Sequence, residues 1–252
     1  MAMGGLAVED QSIWLVCAAF YLADNLRFHT GRELLLIETW SMRWRPLFPV
    51  SHYRIRGKAI TLLQPLLPFM AAVKLSWLDP EAFSAKALRR TKRVLGLYQR
   101  RLAPFRVLSS VYFITLFVLG PSATYYAGLG YALSLVIPVH LIGLATLVTL
   151  LIVERRAWRM EWQQLLGLAF ECAVCPGYFV NICRKLSLGY VRVPGDAVAF
   201  VLDQREPRVS AVIAGGIDAL LEDLADRDEL RQDDDQPIAA YQAWLAEAGA
   251  HA

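Results

Sequence analysis

Residues 107–153 read VLSSVYFITLFVLGPSATYYAGLGYALSLVIPVHLIGLATLVTLLIV, 47 consecutive positions without Asp, Glu, Lys or Arg. His140 is their one titratable side chain besides tyrosines. At about 1.5 Å per helical residue the stretch makes about 70 Å of helix, enough to cross a ~30 Å hydrocarbon layer twice with a tight connection. It predicts a transmembrane helical hairpin. The first crossing starts near Phe105 and ends between Leu119 and Tyr126, and the second runs from about Tyr131 to Val153. Gly120, Pro121, Gly128 and Gly130 supply the turn. Fourteen Leu, Ile and Val lie between Leu133 and Val153. They contribute about −4 to −8 kcal/mol on the insertion scale, more than two or three polar side chains cancel.

Both borders of the stretch are basic. Lys86, Arg89, Arg90, Lys92, Arg93, Arg100, Arg101 and Arg106 precede it, and Arg155, Arg156 and Arg159 follow. The positive-inside bias places both borders in the cytoplasm and the turn outside. Trp158 and Trp162 then mark the inner interface, and Tyr125, Tyr126 and Tyr131 the outer one. Composition agrees: of 252 residues, 56% are hydrophobic and only 19% charged, with a mean hydropathy of +0.37. That excludes a disordered chain or a small disulfide scaffold.

The N-terminal segment, 1–32, holds a twelve-residue apolar run, Ser12–Ala23, between Glu9-Asp10 and Arg27. It has no basic n-region, and Val16 before Cys17 is a poor lipoprotein cleavage position, so cleavage is not expected. The run is either a third crossing with its amino terminus outside or an in-plane or core helix. Residues 33–78 predict a small strand-rich cytoplasmic or interfacial unit, with a β-hairpin turning at Arg56-Gly57-Lys58 and Pro46 and Pro49 in the loop before it. Ala59–Leu78 is apolar but broken by Gln64, Pro65, Pro68 and Lys74, which predicts a surface-lying or packed segment.

Residues 79–106 predict a basic amphipathic juxtamembrane helix starting at Asp79-Pro80-Glu81. Phe83, Ala87, Val94, Tyr98, Leu102 and Phe105 form its apolar stripe. Lys86, Arg89, Arg90, Arg93, Arg100 and Arg101 are the candidate contacts to anionic lipid headgroups. The membrane accounts for these charges, and no base-stacking motif accompanies them, so no nucleic-acid partner is expected. Residues 154–188 predict a broken helix pair at the interface or packed on the hairpin, because a crossing would strand Arg184 and Lys185 outside. Residues 189–252 predict strand–turn–strand over Val191–Leu202, a helix from Ile217 and a last helix from Pro237. Ser210–Ala252 carries a net charge of −8 and the remainder +11, an acidic tail on a basic body.

Few residues suggest chemistry. Cys172 and Cys175, with Cys183, form C-x2-C…C, a redox pair or part of a metal site; buried thiols acting as apolar filler are the alternative. His140, two residues after Pro138, is either a proton-path group or a neutral imidazole. The neutral form would bond the Ser134 carbonyl or Ser109, Ser110 or Thr115 on the facing helix. Glu171 is either a site carboxylate or the partner of Arg184 or Lys185. The fragments His29-x3-Glu33 and Asn181-x2-Arg184 have the residue types of lipid-phosphate chemistry, at spacings that match no known pattern. No phosphate-binding, metalloprotease, nucleophile-elbow or dinucleotide motif is present, which leans away from an enzyme and implies no cofactor.

The sequence thus predicts an α+β integral membrane protein with a helical hairpin and most of its soluble mass on the cytoplasmic side. Its expected role is that of an accessory or scaffold protein, with a protein partner or a second copy of itself. The alternatives are a thiol-redox or metal-binding protein using Cys172 and Cys175, and a small transport or proton-path subunit using His140.

Overall fold

The structure, a computed structural model, describes residues 8–29, 33–40, 43–47, 54–55, 58–77, 85–193, 195–203, 215–219, 221–222, 224–225 and 234–249. It is mixed α+β and mostly helical, with two helices long and apolar enough to cross a membrane, Lys86–Ala127 and Leu129–Trp158. The chain divides into two compact units. The first is Met1–Leu26, Leu63–Phe69 and Arg101–Tyr190, and the second Arg27–Leu62, Met70–Arg100 and Val191–Ala252.

The first unit is built on a helical hairpin. Helix α2 (Ala85–Ile114) continues through a π-helical turn (Thr115–Leu119) into α3 (Gly120–Ala127), and α4 (Leu129–Trp158) returns. Gly120 and Pro121, expected in the connection, are helical instead. Pro121 has no N–H to give, and the ladder shifts by one residue just before it, the Gly120 N–H reaching the Thr115 carbonyl. The chain reverses at Gly128, with φ 88° and ψ 162°, a conformation that costs little only without a Cβ. The two arms meet through Arg101 and Glu154, Phe105 and Trp158, and Tyr112 and Gly143.

Helix α1 (Val8–Asn25) covers more than the apolar run read from the sequence, and it lies antiparallel to the first arm. Trp14 meets Gly120 and Thr124, while Tyr21 meets Phe113 and Phe117. After α4, helices α5 (Trp162–Val174), α6 (Pro176–Val180) and α7 (Ile182–Tyr190) form the broken segment. It is packed on the hairpin: Ser109 donates to the Val180 carbonyl at 2.6 Å, and Tyr112 stacks on Phe179 at 3.7 Å.

The second unit carries two three-stranded sheets. One has the order β1 (Leu26–His29), β5 (Lys58–Leu62), β4 (Arg54–Ile55); the other has β3 (Trp44–Leu47), β2 (Glu33–Glu38), β6 (Ala72–Ser76). The hairpin read from the sequence is β4–β5, antiparallel with Arg54 opposite Ala59; the residues of its turn, 56–57, lie outside the described residues. Central β2 buries Leu34, Leu35 and Leu36 completely, which explains an aliphatic run without alternation. Pro46, expected in a loop, sits in edge strand β3, where a missing N–H leaves no ladder bond unmade. The segment from Ala59, expected to be surface-lying or packed, contributes to two strands, β5 and β6, and is packed at Ala72, Val73 and Leu75, which are buried.

Val191–Leu202 is not strand–turn–strand: Ala197–Leu202 is helix α8. Asp196 caps it, accepting from the Ala199 N–H at 2.9 Å, and Ala197–Val201 is buried on every side, so no periodicity distinguishes helix from strand. The last helix, α9 (Asp235–Gly249), starts two residues before Pro237 and is tied to Asp196 by the Tyr241 hydroxyl at 2.6 Å. Residues of the expected helix from Ile217 are helical where described. The start at Asp79-Pro80-Glu81 and much of the acidic tail lie outside the described residues.

Candidate functional site

The first unit brings polar side chains together at the ends of its broken helices. Helix α5 stops because Cys175 is extended (φ −127°, ψ 100°) and Pro176, which has no N–H, opens α6. A stopped helix leaves carbonyls without partners. His140 Nε2 takes one of them, the Ala173 carbonyl, at 3.2 Å. A carbonyl only accepts, so Nε2 carries a proton; in the neutral ring Nδ1 then accepts from the Tyr112 hydroxyl at 2.8 Å. The same hydroxyl lies 2.8 Å from the His140 carbonyl, so its one proton is shared between two acceptors of a single residue. The Tyr112 ring is held between Phe179 and Gly143, where a Cβ would stand 2.5 Å from Tyr112 Cε2. His140 therefore clasps the end of α5 to the hairpin. Its partners are Tyr112 and Ala173, not Ser109, Ser110 or Thr115 as expected, and Ser109 is engaged with Val180.

Helix α7 and the residue before it project Asn181, Arg184 and Lys185 towards the end of α1. Lys185 Nζ bridges Asp24 Oδ1 at 3.1 Å and Glu171 Oε2 at 2.9 Å, above the Tyr178 ring at 4.5 Å. Asn181 Nδ2 donates to Asp24 Oδ2 at 3.1 Å. Arg184 is buried and donates to Asn25 Oδ1, the Gln64 carbonyl and the Leu67 carbonyl. Its planar fork thereby joins α1, α7 and the 63–69 turn, geometry that an ammonium does not match. Of the two partners expected for Glu171, Lys185 is the one that meets it. Arg184 instead spends its donors on neutral acceptors.

The four cysteines are free thiols. Cys172 is buried on α5, Cys175 half-buried at the helix break, Cys183 buried on α7 and Cys17 half-buried on α1; they form no disulfide. Among the described residues no three His, Cys, Asp or Glu side chains form a metal-binding group. A thiol reacts and ligates as its thiolate, a charge that burial among apolar groups disfavours, so Cys172 and Cys183 are poorly placed for either role.

Along α2, Lys86, Arg89, Arg90, Arg93 and Arg100 are exposed, while Arg101 is half-buried and meets Glu154 at 3.4 Å. Lys92 pairs with Asp203. The buried stripe of this helix runs through Thr91, Leu95, Leu102 and Phe105, one position off the Val94 expected from spacing. Sequence reasoning missed Asp24, Asn25 and Tyr112. The fragment Asn181-x2-Arg184 and the expected pairing of Glu171 with Lys185 are the signals for the cluster, and nothing local marks Tyr112 inside an apolar run. The chain matches no protein-family model, no curated protein and no solved structure.

Proposed function

We propose that this chain is an integral membrane accessory protein, anchored by its first unit and presenting its second unit on the cytoplasmic side as a surface for a partner. One observation carries the membrane part. The apolar stretches of helices Lys86–Ala127 and Leu129–Trp158 are only 33% and 22% buried inside the protein, whereas the core helix of a soluble protein is covered by its own chain. Val107, Val118, Leu141, Ile142 and Val153 are each half-exposed or more, an apolar surface that water does not tolerate over this area. Tyr125, Tyr126 and Tyr131 are exposed beside the reversal at Gly128, as an interfacial belt requires.

Helix α1 is the third crossing in this reading. Its antiparallel course puts Glu9 and Asp10 on the side of the hairpin turn and Arg27 on the side of the basic borders, the same sense as the charge bias. Ile13, Leu15, Val16 and Phe20 are exposed along it. The exposed Arg89, Arg90, Arg93 and Arg100 then meet anionic headgroups. An accessory role is favoured over chemistry because His140 has both ring nitrogens engaged and Cys172 is buried. Phe28, Trp40, Leu62 and Leu97 supply exposed apolar area on the second unit.

Alkaline carbonate extraction and reporters fused at Ala82, at Gly128 and after Arg159 test this. Retention in the pellet with the first and third reporters cytoplasmic and the second outside is expected. Release into the supernatant, or the first and third reporters on opposite sides, overturns it.

A further inference from the structure

Helix α4 leaves the charge-free run at Val153, and three guanidiniums follow in the next six residues, Arg155, Arg156 and Arg159. The chain turns there and α5 starts at Trp162, so on the membrane reading above this turn lies at the inner interface. The Arg155 guanidinium sits over the Trp162 ring, 4.1 Å from its centroid. That contact positions a long side chain and leaves its N–H donors unspent: among the described residues no acid or carbonyl meets them. The two carboxylates of the turn are engaged. Glu154 meets Arg101, and Glu161 accepts a backbone N–H in the first turn of α5.

Arg159 adds an independent observation. It ends α4 with φ 52° and is the one residue other than glycine with a positive φ among the described residues. Glycine is the usual occupant of that position, because a Cβ is strained there. An exposed arginine is kept in its place. Beyond Trp162 the exposed face of α5 turns apolar: Leu166 and Phe170, one and two turns on, are 62% and 70% exposed. From Trp162 to Phe170 the helix rises about 12 Å. A ligand that matches this surface is anionic at the turn and apolar along α5, which describes a phospholipid rather than a soluble phosphate. With both carboxylates engaged, nothing in the turn receives a headgroup ammonium, so an anionic lipid fits better than a zwitterionic one.

We propose that Arg155, positioned by Trp162, and Arg159 hold the phosphate of one anionic glycerophospholipid, whose acyl chain runs along Leu166 and Phe170. The full chain in phosphatidylcholine nanodiscs, with a minor fraction of phosphatidylglycerol carrying an acyl-chain diazirine, tests this. After irradiation the adducts should concentrate on residues 162–170, and unlabelled phosphatidylglycerol should compete where phosphatidylethanolamine does not. The yield should fall about fivefold in Arg155→Ala, the scale of one basic residue at an anionic headgroup. Arg155→Lys should restore little of it, because an ammonium lacks the planar fork. Arg159→Gly relieves the positive φ, so it should lose adduct while unfolding at or above the parent's temperature, which separates lost contact from lost fold. Adducts spread evenly over the lipid-facing helices, equal competition by phosphatidylethanolamine, or a parental yield in Arg155→Ala or Arg155→Lys overturns the proposal. So does competition by soluble glycerol phosphate, which would mark an anion site that needs no lipid. Retention in carbonate pellets separates failure of this proposal from failure of the membrane reading.

Discussion

The Trp14 indole N–H donates to Thr124 Oγ1 at 2.9 Å, joining α1 to the far end of the hairpin's first arm. Thr124 Oγ1 itself donates to the Gly120 carbonyl, and the Trp14 ring lies where a Gly120 side chain would begin: a Cβ there would stand 2.5 Å from Trp14 Cη2. The contact therefore combines a hydrogen bond with a close approach of ring to backbone. Trp14→Phe and Thr124→Val should each lower stability by about 1 kcal/mol, within the range for polar contacts between membrane helices. Gly120→Leu should cost more than either, because the clash meets a rigid ring rather than a flexible chain end. Thermal unfolding in detergent checks all three, and a double-mutant cycle on Trp14 and Thr124 should give a coupling close to each single effect.

His140 on α4 holds the far end of α5, the end away from the short link that joins the two helices, so its loss should loosen the end of α5 before it unfolds the hairpin. His140→Leu removes the donor to the Ala173 carbonyl and the acceptor for Tyr112 at once, and should lower stability by about 1 to 2 kcal/mol. Tyr112→Phe leaves the Nε2 contact in place and keeps the stack on Phe179, so it should cost less. Amide exchange in detergent separates the two: faster exchange over 171–180 is expected in His140→Leu and little change there in Tyr112→Phe. Equal protection in both variants and the parent would mean that packing alone holds the end of α5.

The four thiols should divide into two pairs by access. Cys172 and Cys183 are fully covered, while Cys17 and Cys175 are half-buried. Alkylation requires both a thiolate and a path to it. Native protein in detergent at pH 7.5 should therefore take up label at Cys17 and Cys175 first, and at Cys172 and Cys183 only after denaturation. Intact-mass and peptide mapping read the sites. Labelling of Cys172 as fast as Cys175 would contradict the packing of α5 on the hairpin.

Much of this architecture was legible because charge and length constrain it strongly. Residues 107–153 could not be read as anything but two apolar helices, and the hairpin follows from their length. The position of the reversal was less legible. Gly120-Pro121 and Gly128 carry the same local turn signal, and only the π-helical shift at Thr115–Leu119 lets the helix absorb the first of them. The error over Ala197–Leu202 has the opposite origin. A short run that is buried on every side has no exposed face, so burial pattern carried no information and the Asp196 cap decided the outcome. The candidate site was least legible. His140 and Glu171 stood out because they are polar in apolar surroundings, but Asp24, Asn25 and Tyr112 acquire their roles only from partners 28 to 159 residues away in sequence.

Arg184 should be the least replaceable residue of the first unit. It is 2% exposed, and its guanidinium serves Asn25 and two carbonyls of the 63–69 turn at once. Arg184→Ala leaves the buried Asn25 Oδ1 without this donor and strips two part-buried carbonyls of theirs, a combined loss of about 3 kcal/mol. Arg184→Lys keeps the charge but loses the planar fork, so it reaches fewer acceptors while still carrying the desolvation of an ammonium; it should rescue little. Arg184→Met removes the charge and keeps much of the volume, and should be milder than Arg184→Lys if desolvation outweighs hydrogen bonding here. Denaturant titration in detergent orders the three variants, and limited proteolysis at 63–69 reports whether the turn has come away. An Arg184→Lys variant as stable as the parent would mean that charge alone, not donor geometry, holds this turn.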